Sequence, residues 1–277
     1  MLQITTDSCA DLSQQLISAH GIRSIPLHVL VNGKDYFDKD LSLDQLFASV
    51  RQTGELPKTA APSVQEFVKF LNSEDPILYI GLSSQLSATM QNAKLAAQQL
   101  GKSNIHLIDS LNLSTGIGLL ALKAADLRDE DQSVENIIRL INQYRSKVNT
   151  AFVIDTMDYL HKGGRCTGLQ AFVGSILKIH PVIYVRQDGS LGVLDKVRGN
   201  RKKALDRLLL NYEKDLPDID LNRIFVTHSG CKEDAVYLVE KLKHLNPDAM
   251  IYTTEAGATI GSHCGPNTIG IIYLKTT

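Results

Sequence analysis

The side chains most able to do chemistry together in this sequence are hydroxyls. The stretch Ile80-Gly81-Leu82-Ser83-Ser84-Gln85-Leu86-Ser87-Ala88-Thr89 follows an apolar run, Pro76-Ile77-Leu78-Tyr79-Ile80. Leu86, Met90, Ala93, Ala97 and Leu100 then recur at helical spacing. A buried strand, a hydroxyl-rich turn and a helix start are expected. Such a turn offers backbone N–H groups and hydroxyl donors around one point, which suits a carboxylate or a phosphate. Plain capping of the helix by Ser83 and Ser84 is the alternative reading of the same residues. A third is nucleophilic catalysis, with Ser87 or Ser84 as nucleophile and His263 as base in a hydrolase of lipid esters. Against it, Gly-x-Ser-x-Gly is absent and no carboxylate partner for His263 stands out.

A second group is basic. Lys196, Arg198, Arg201, Lys202 and Lys203 sit together, with Lys162, Arg165 and Lys178 elsewhere. They read either as a solvated helix face or as a surface that docks a partner and meets nucleotide phosphates. Aromatic residues do not interleave with them, which argues against nucleic acid.

These residues must be positioned by alternating strands and helices. Leu2–Thr6 is a short strand with helix-start residues after it, Ser8 or Asp11 being the caps. Ile22–Val31 reads as one irregular strand because of Pro26, and Asn32-Gly33 turns it into a hairpin. Ser42 opens a helix to Val50, and Pro57–Ser63 is a loop between prolines. Ser63 with Glu66 forms a capping box. Asn104–Ile108 is a strand, Asp109–Gly118 a second polar turn, and Leu119–Leu127 a helix. Another helix opens at Ser133. This alternation implies right-handed βαβ units, a parallel sheet, and ligands beyond the strand carboxyl ends. No dinucleotide fingerprint or P-loop is present.

Near residue 150 the pattern shifts. Strands are expected at Ala151–Ile154, Pro181–Val185, Leu191–Val197, Arg223–Thr227, Ala249–Thr253 and Thr268–Leu274. Helices are expected over 169–177, Asn200–Tyr212 and Glu233–Leu242. The fold class is therefore α/β: a Rossmann-like parallel-sheet domain over 1–149, then a two-layer α/β domain with a mixed sheet over 150–277, covered mainly on one side.

With 277 residues and 43% hydrophobic composition, the chain can bury a large core. Lys and Arg number 29 against 30 Asp and Glu, so a net charge of −1 gives no general nucleic-acid or membrane surface. No apolar run reaches membrane-spanning length, and no secretory leader is evident. Cys9, Cys166, Cys231 and Cys264 are scattered, without metal spacing, so a cytoplasmic protein without a sulfur-held cofactor is expected.

Five motifs in order carry a resemblance. They are Thr6-Asp7-Ser8 with Asp11-Leu12, Lys58-Thr59-Ala60-Ala61-Pro62-Ser63, Leu82–Thr89, Lys162-Gly163-Gly164-Arg165, and Gly261–Gly270. Together they resemble the bacterial DegV family, whose characterised members are fatty-acid-binding (FakB) subunits of a two-component fatty acid kinase. The resemblance implies a long-chain fatty acid in an apolar tunnel, its carboxylate held by Thr59 and Ser87 with His263 beside them. It also implies that Arg165 and Arg198 engage a separate ATP-binding kinase subunit, which makes the acyl phosphate. The chain itself would then be a lipid-binding subunit, not an enzyme, with no cofactor. Helix 169–177 and strands Phe152–Ile154 and Val182–Tyr184 would line the tunnel. The chain departs from the family pattern at Ala60, Ala88 and Asn267. A binding module for a different carboxylate or phosphate ligand is the remaining rival.

Overall fold

The computed structural model describes residues 1–165 and 179–276. The helix expected over 169–177, and Lys178, lie outside the described residues.

Four parallel strands form the first sheet: β1 (Gln3–Asp7), β2 (Arg23–Ile25), β6 (Ile77–Gly81) and β7 (Ile105–Asp109), in the order β2-β1-β6-β7. β6 is buried along its whole length, as an interior parallel strand covered on both faces must be. The long strand expected over Ile22–Val31 is instead two. Pro26 has no N–H to donate and restricts the residue before it, so β2 ends at Ile25. β3 (His28–Val31) then starts a separate antiparallel sheet with β4 (Lys34–Phe37) and β5 (Lys58–Ala60), in the order β4-β3-β5. The segment between the prolines is thus partly a strand, with Thr59 held in register opposite Val29.

The helices α1 (Gln14–Ala19), α2 (Leu43–Thr53), α3 (Val64–Leu71), α4 (Thr89–Leu100) and α6 (Val134–Arg145) occur near the expected positions. Ser42 with Gln45, and Ser63 with Glu66, form full capping boxes. Ser13 caps α1, and Asp7 caps the short 3-10 turn at Ser8–Ala10, so neither Ser8 nor Asp11 is a cap of the expected kind. Asp11 is a left-handed residue at the end of that turn.

A six-stranded sheet holds β8 (Val148–Val153), β9 (Ile179–Val185), β10 (Leu191–Arg198), β11 (Ile219–His228), β12 (Ile251–Glu255) and β13 (Ile269–Lys275), in the order β10-β9-β8-β13-β11-β12. Only β11 and β12 run parallel among these neighbours, so the sheet is mixed as expected. α8 (Arg201–Asp215) and α9 (Lys232–Leu245) cover one face, packing on Val153, Val182, Val226 and Ile271. The other face is covered too, contrary to expectation. Phe152, Ile183, Phe225 and Ile272 share a core cluster with Ile117, Leu120 and Ala121 of α5 (Thr115–Asp129). That helix is buried almost all round, which is why its sequence lacks a polar stripe.

Two short helices complete the fold. α7 (Asp158–Lys162) follows β8, and α10 (Ala258–Cys264) lies between β12 and β13. Asn267 takes the left-handed conformation, φ 59°, that a glycine there would provide, and Asn tolerates it better than most residues. Ala88 sits at φ −74°, where glycine's freedom is not needed.

Candidate functional site

A cavity lies at the carboxyl end of β6, between α10, α7 and β5. Leu27, Leu82, Leu86, Leu113, Leu160, Leu191 and Ile260 give it apolar walls. Thr59, Ser87, Arg165, Thr259 and His263 supply polar groups. Few polar groups on a mostly apolar surface is the usual make-up of a small-molecule site.

Thr59 and His263 are 204 positions apart, yet Thr59 Oγ1 lies 2.7 Å from His263 Nε2. His263 rides on α10. Burial, then the nearby Arg165 charge, lowers its pKa to about 4, so the ring is neutral near pH 7. Among the described residues its Nδ1 is buried without a partner, and it faces Gly163, where an added Cβ would stand 2.4 Å from that nitrogen. A buried N–H without an acceptor is rarer than an unpaired acceptor. The proton therefore sits on Nε2 and is donated to Thr59 Oγ1, which leaves the Thr59 hydroxyl proton for a ligand.

The Ser83–Thr89 turn differs in detail from the expected helix start. α4 begins at Thr89, and neither Ser83 nor Ser84 caps it. Ser83 Oγ donates instead to Gly189 O at 2.9 Å, tying the turn to the β9–β10 hairpin. Ser84 N donates to the Asp109 carboxylate at 3.3 Å. Ser87 is half-buried on the cavity wall, its Oγ 2.8 Å from Thr89 Oγ1. His263 meets Thr59 and Ser87 meets Thr89, so the serine–histidine pair that a hydrolase needs is not formed here.

Arg165 lines the same cavity as Thr59, Ser87 and His263. Nε donates to Leu86 O at 3.0 Å and a terminal nitrogen to Gly163 O at 2.6 Å. Among the described residues its partners are carbonyls, not carboxylates. A guanidinium half-buried this way leaves positive charge facing the cavity. Arg198 is elsewhere: exposed, at the end of β10 opposite Leu191, about 20 Å along the strand. Arg201 of the basic cluster is committed internally, to Asp155, Asp234 and Asn267 O.

Three carboxylates hold the site together: Asp7 and Asp11, which belong to the first motif of the resemblance but have no site role read for them there, and Asp38, which gives no sequence signal. Asp7 accepts from Leu82 N and Tyr79 Oη, both at 2.8 Å, and so anchors the turn before Ser87. Asp11 accepts from Gly257 N at 2.8 Å, and Asp38 from Thr259 N at 2.7 Å, at the N-terminus of α10. Burial raises all three, Asp7 to about 6, Asp11 to about 8, and Asp38 above the ordinary carboxyl range. Among the described residues, no cluster of three or more His, Cys, Asp or Glu side chains could hold a metal ion.

A second cavity shares Leu113, Ile260 and Cys264 with the first and extends between α5 and the six-stranded sheet, past Phe152 and Ile272. Of the strand residues expected to line a tunnel, Phe152 lies on this second cavity. Val153 and Val182 face α8 and α9, on the other side of the sheet, because successive side chains on a strand alternate.

The chain matches the DegV family, described as uncharacterised proteins, over residues 1–276. It belongs to the DegV family. A DegV-domain protein of Caldanaerobacter subterraneus is 32% identical, with 98% of each chain covered. The Thermus thermophilus DegV-family structure described by its fatty acid binding is 29% identical, with a TM-score of 0.92 and 99% of both chains covered. Bacillus subtilis DegV, described as a fatty acid binding protein, is 30% identical with a TM-score of 0.87, again over 99% of both chains. The Streptococcus pneumoniae fatty acid kinase B3 protein loaded with linoleic acid shares the fold, with a TM-score of 0.84 at 24% identity over 99% of both chains. Among the described residues, no helix of this DegV protein is long and apolar enough to cross a membrane.

Proposed function

We propose that this protein binds a long-chain fatty acid with its acyl chain in the two abutting cavities and its carboxylate between Thr59 and Ser87. The observation that carries this reading is a largely apolar cavity lined by the Thr59 and Ser87 hydroxyls. The fatty acids named for its Thermus and Bacillus relatives support it. Burying about 14 methylenes is worth roughly 11 kcal/mol at about 0.8 kcal/mol each. Loss of translational and rotational freedom offsets several kcal/mol of that. The tail thus supplies the affinity, and the head group fixes the direction of entry. A carboxylate leaving water needs compensating donors. Thr59 and Ser87 give neutral ones, and the Arg165 charge keeps the acid ionised.

The bound acid is presented to a kinase subunit that brings ATP. A carboxylate oxygen attacks the γ-phosphorus, the bond to the β–γ bridging oxygen breaks, ADP leaves, and an acyl phosphate forms. Arg165 at the cavity and exposed Arg198 are the groups that engage this partner, and the fold shared with the fatty acid kinase B3 protein supports the pairing. Native mass spectrometry of protein purified from cells tests the lipid step. A co-purifying fatty acid, or one oleate bound per chain after delipidation, is expected. Neither outcome appearing would refute it. For the partner step, Arg198→Ala should retain oleate and lose kinase-dependent acyl phosphate formation. Loss of oleate binding would misplace that residue.

A further inference from the structure

Thr89 is fully buried at the first turn of α4, and it is not part of the cavity wall. Among the described residues its hydroxyl has one partner, Ser87 Oγ at 2.8 Å. The Thr89 backbone N–H also points to Ser87 Oγ, at 3.3 Å. Each hydroxyl can donate once and accept twice. If Ser87 donated to Thr89, the Thr89 proton would be left buried with no acceptor, which native proteins avoid. If Thr89 donates, both of its protons converge on Ser87 Oγ, and the Ser87 proton is free to face the cavity that Ser87 lines. The same logic operates at the neighbouring hydroxyl, where His263 Nε2–H stands behind Thr59 Oγ1 at 2.7 Å.

We propose that Thr89 is a positioning residue for the head-group site: its buried hydroxyl donates to Ser87 Oγ and thereby sets Ser87 as a donor to an anion in the cavity. The proposal rests on the carboxylate reading for its ligand, but the proton arrangement itself exists without one. Ser87 meets the ligand directly; Thr89 acts only through it. Hydrogen bonds that polarise one another in a water-poor site gain strength along the chain, so losing the rear donor weakens the front one.

A double-mutant cycle on delipidated full-length protein tests this, with oleate affinity as the readout. Thr89→Val keeps the side-chain shape and removes the hydroxyl. It should weaken oleate binding about fivefold, within the range for a hydrogen bond between neutral groups. Thr89→Ser should restore wild-type affinity. In a Ser87→Ala background, Thr89→Val should change nothing further, whereas a general packing defect would weaken binding by the same factor in both backgrounds. The ligand-free wild-type protein should also show a Thr89 hydroxyl proton in NMR spectra, exchanging slowly and close to the Ser87 methylene. Equal effects of Thr89→Val in both backgrounds, or wild-type affinity in that variant, would overturn the proposal. Should wild-type protein bind no oleate at all, the fatty-acid reading fails. The hydroxyl proton then decides the Thr89 arrangement alone: absence of a slowly exchanging signal overturns it.

Discussion

Replacing Asp11 by asparagine should flatten the pH dependence of stability on the alkaline side of neutrality. Asp11 is 7% exposed, and burial raises its carboxyl from 3.8 to about 8, against the lowering effects of the Ser114 hydroxyl and Gly257 N–H. The native state therefore keeps a proton that the unfolded chain has already released. The stability linked to this group is fully present below about pH 4 and is lost as pH rises through about 8. Between about pH 6.5 and 8 one such group contributes a loss of about 1.5 kcal/mol. Other groups complicate more acidic conditions. Asp7, raised to about 6, adds a loss of the same sign there, while His263, lowered to about 4, acts in the opposite sense below about pH 6.5. Asparagine suits the site, because Asp11 has φ 49° and an amide can both accept from Gly257 N and donate to Ser114 Oγ. Urea unfolding at a series of pH values should show wild-type stability falling through this window and the variant falling by about 1.5 kcal/mol less. Parallel curves for the two proteins would refute the assignment of a buried, protonated Asp11.

The remaining predictions concern packing and geometry. Gly163→Ala places a Cβ 2.4 Å from His263 Nδ1 and must push that ring off Thr59, so oleate affinity should fall roughly tenfold in a titration with little change in melting temperature. Leu120→Ala empties a fully buried site in α5 and should cost about 2–5 kcal/mol in chemical denaturation, whether or not lipid is present. Arg201→Ala leaves Asp155 and Asp234 without their shared cation and should cost about 2 kcal/mol while sparing oleate binding. An Arg201→Ala variant that lost kinase-dependent activity at full stability would return this residue to the docking surface.

Much of the architecture was legible because local signals were strong. Ser42 and the Ser63–Glu66 capping box marked two helix starts that the structure keeps. Legibility failed where elements are short or where partners are distant in sequence. β5 is three residues long and becomes a strand only by pairing with β3, so its sequence looks like a loop. α10 is rich in small residues and Gly261, and two carboxylates from the opposite end of the chain hold its first turn. Cover on the second face of the six-stranded sheet comes from α5, an element of the preceding half, which strand patterns near residue 150 do not register. Within the site, Thr59 and His263 were readable only through the family resemblance, since no spacing rule joins residues so far apart. Asp7 and Asp11 stood in the first motif without a site role, and Asp38 stayed hidden, because a buried aspartate looks in sequence like any solvated one.

The position of β13 bears on how the protein is made. This strand lies at the centre of the six-stranded sheet, between β8 and β11, although it is the last of the described strands to be synthesised. During translation, β8–β10 and β11–β12 can exist only as separate ribbons with open edges until Ile269–Lys275 leaves the ribosome. Unpaired strand edges invite wrong partners. The nascent chain thus carries its greatest exposure to aggregation and proteolysis in the interval before β13 emerges to join the two ribbons.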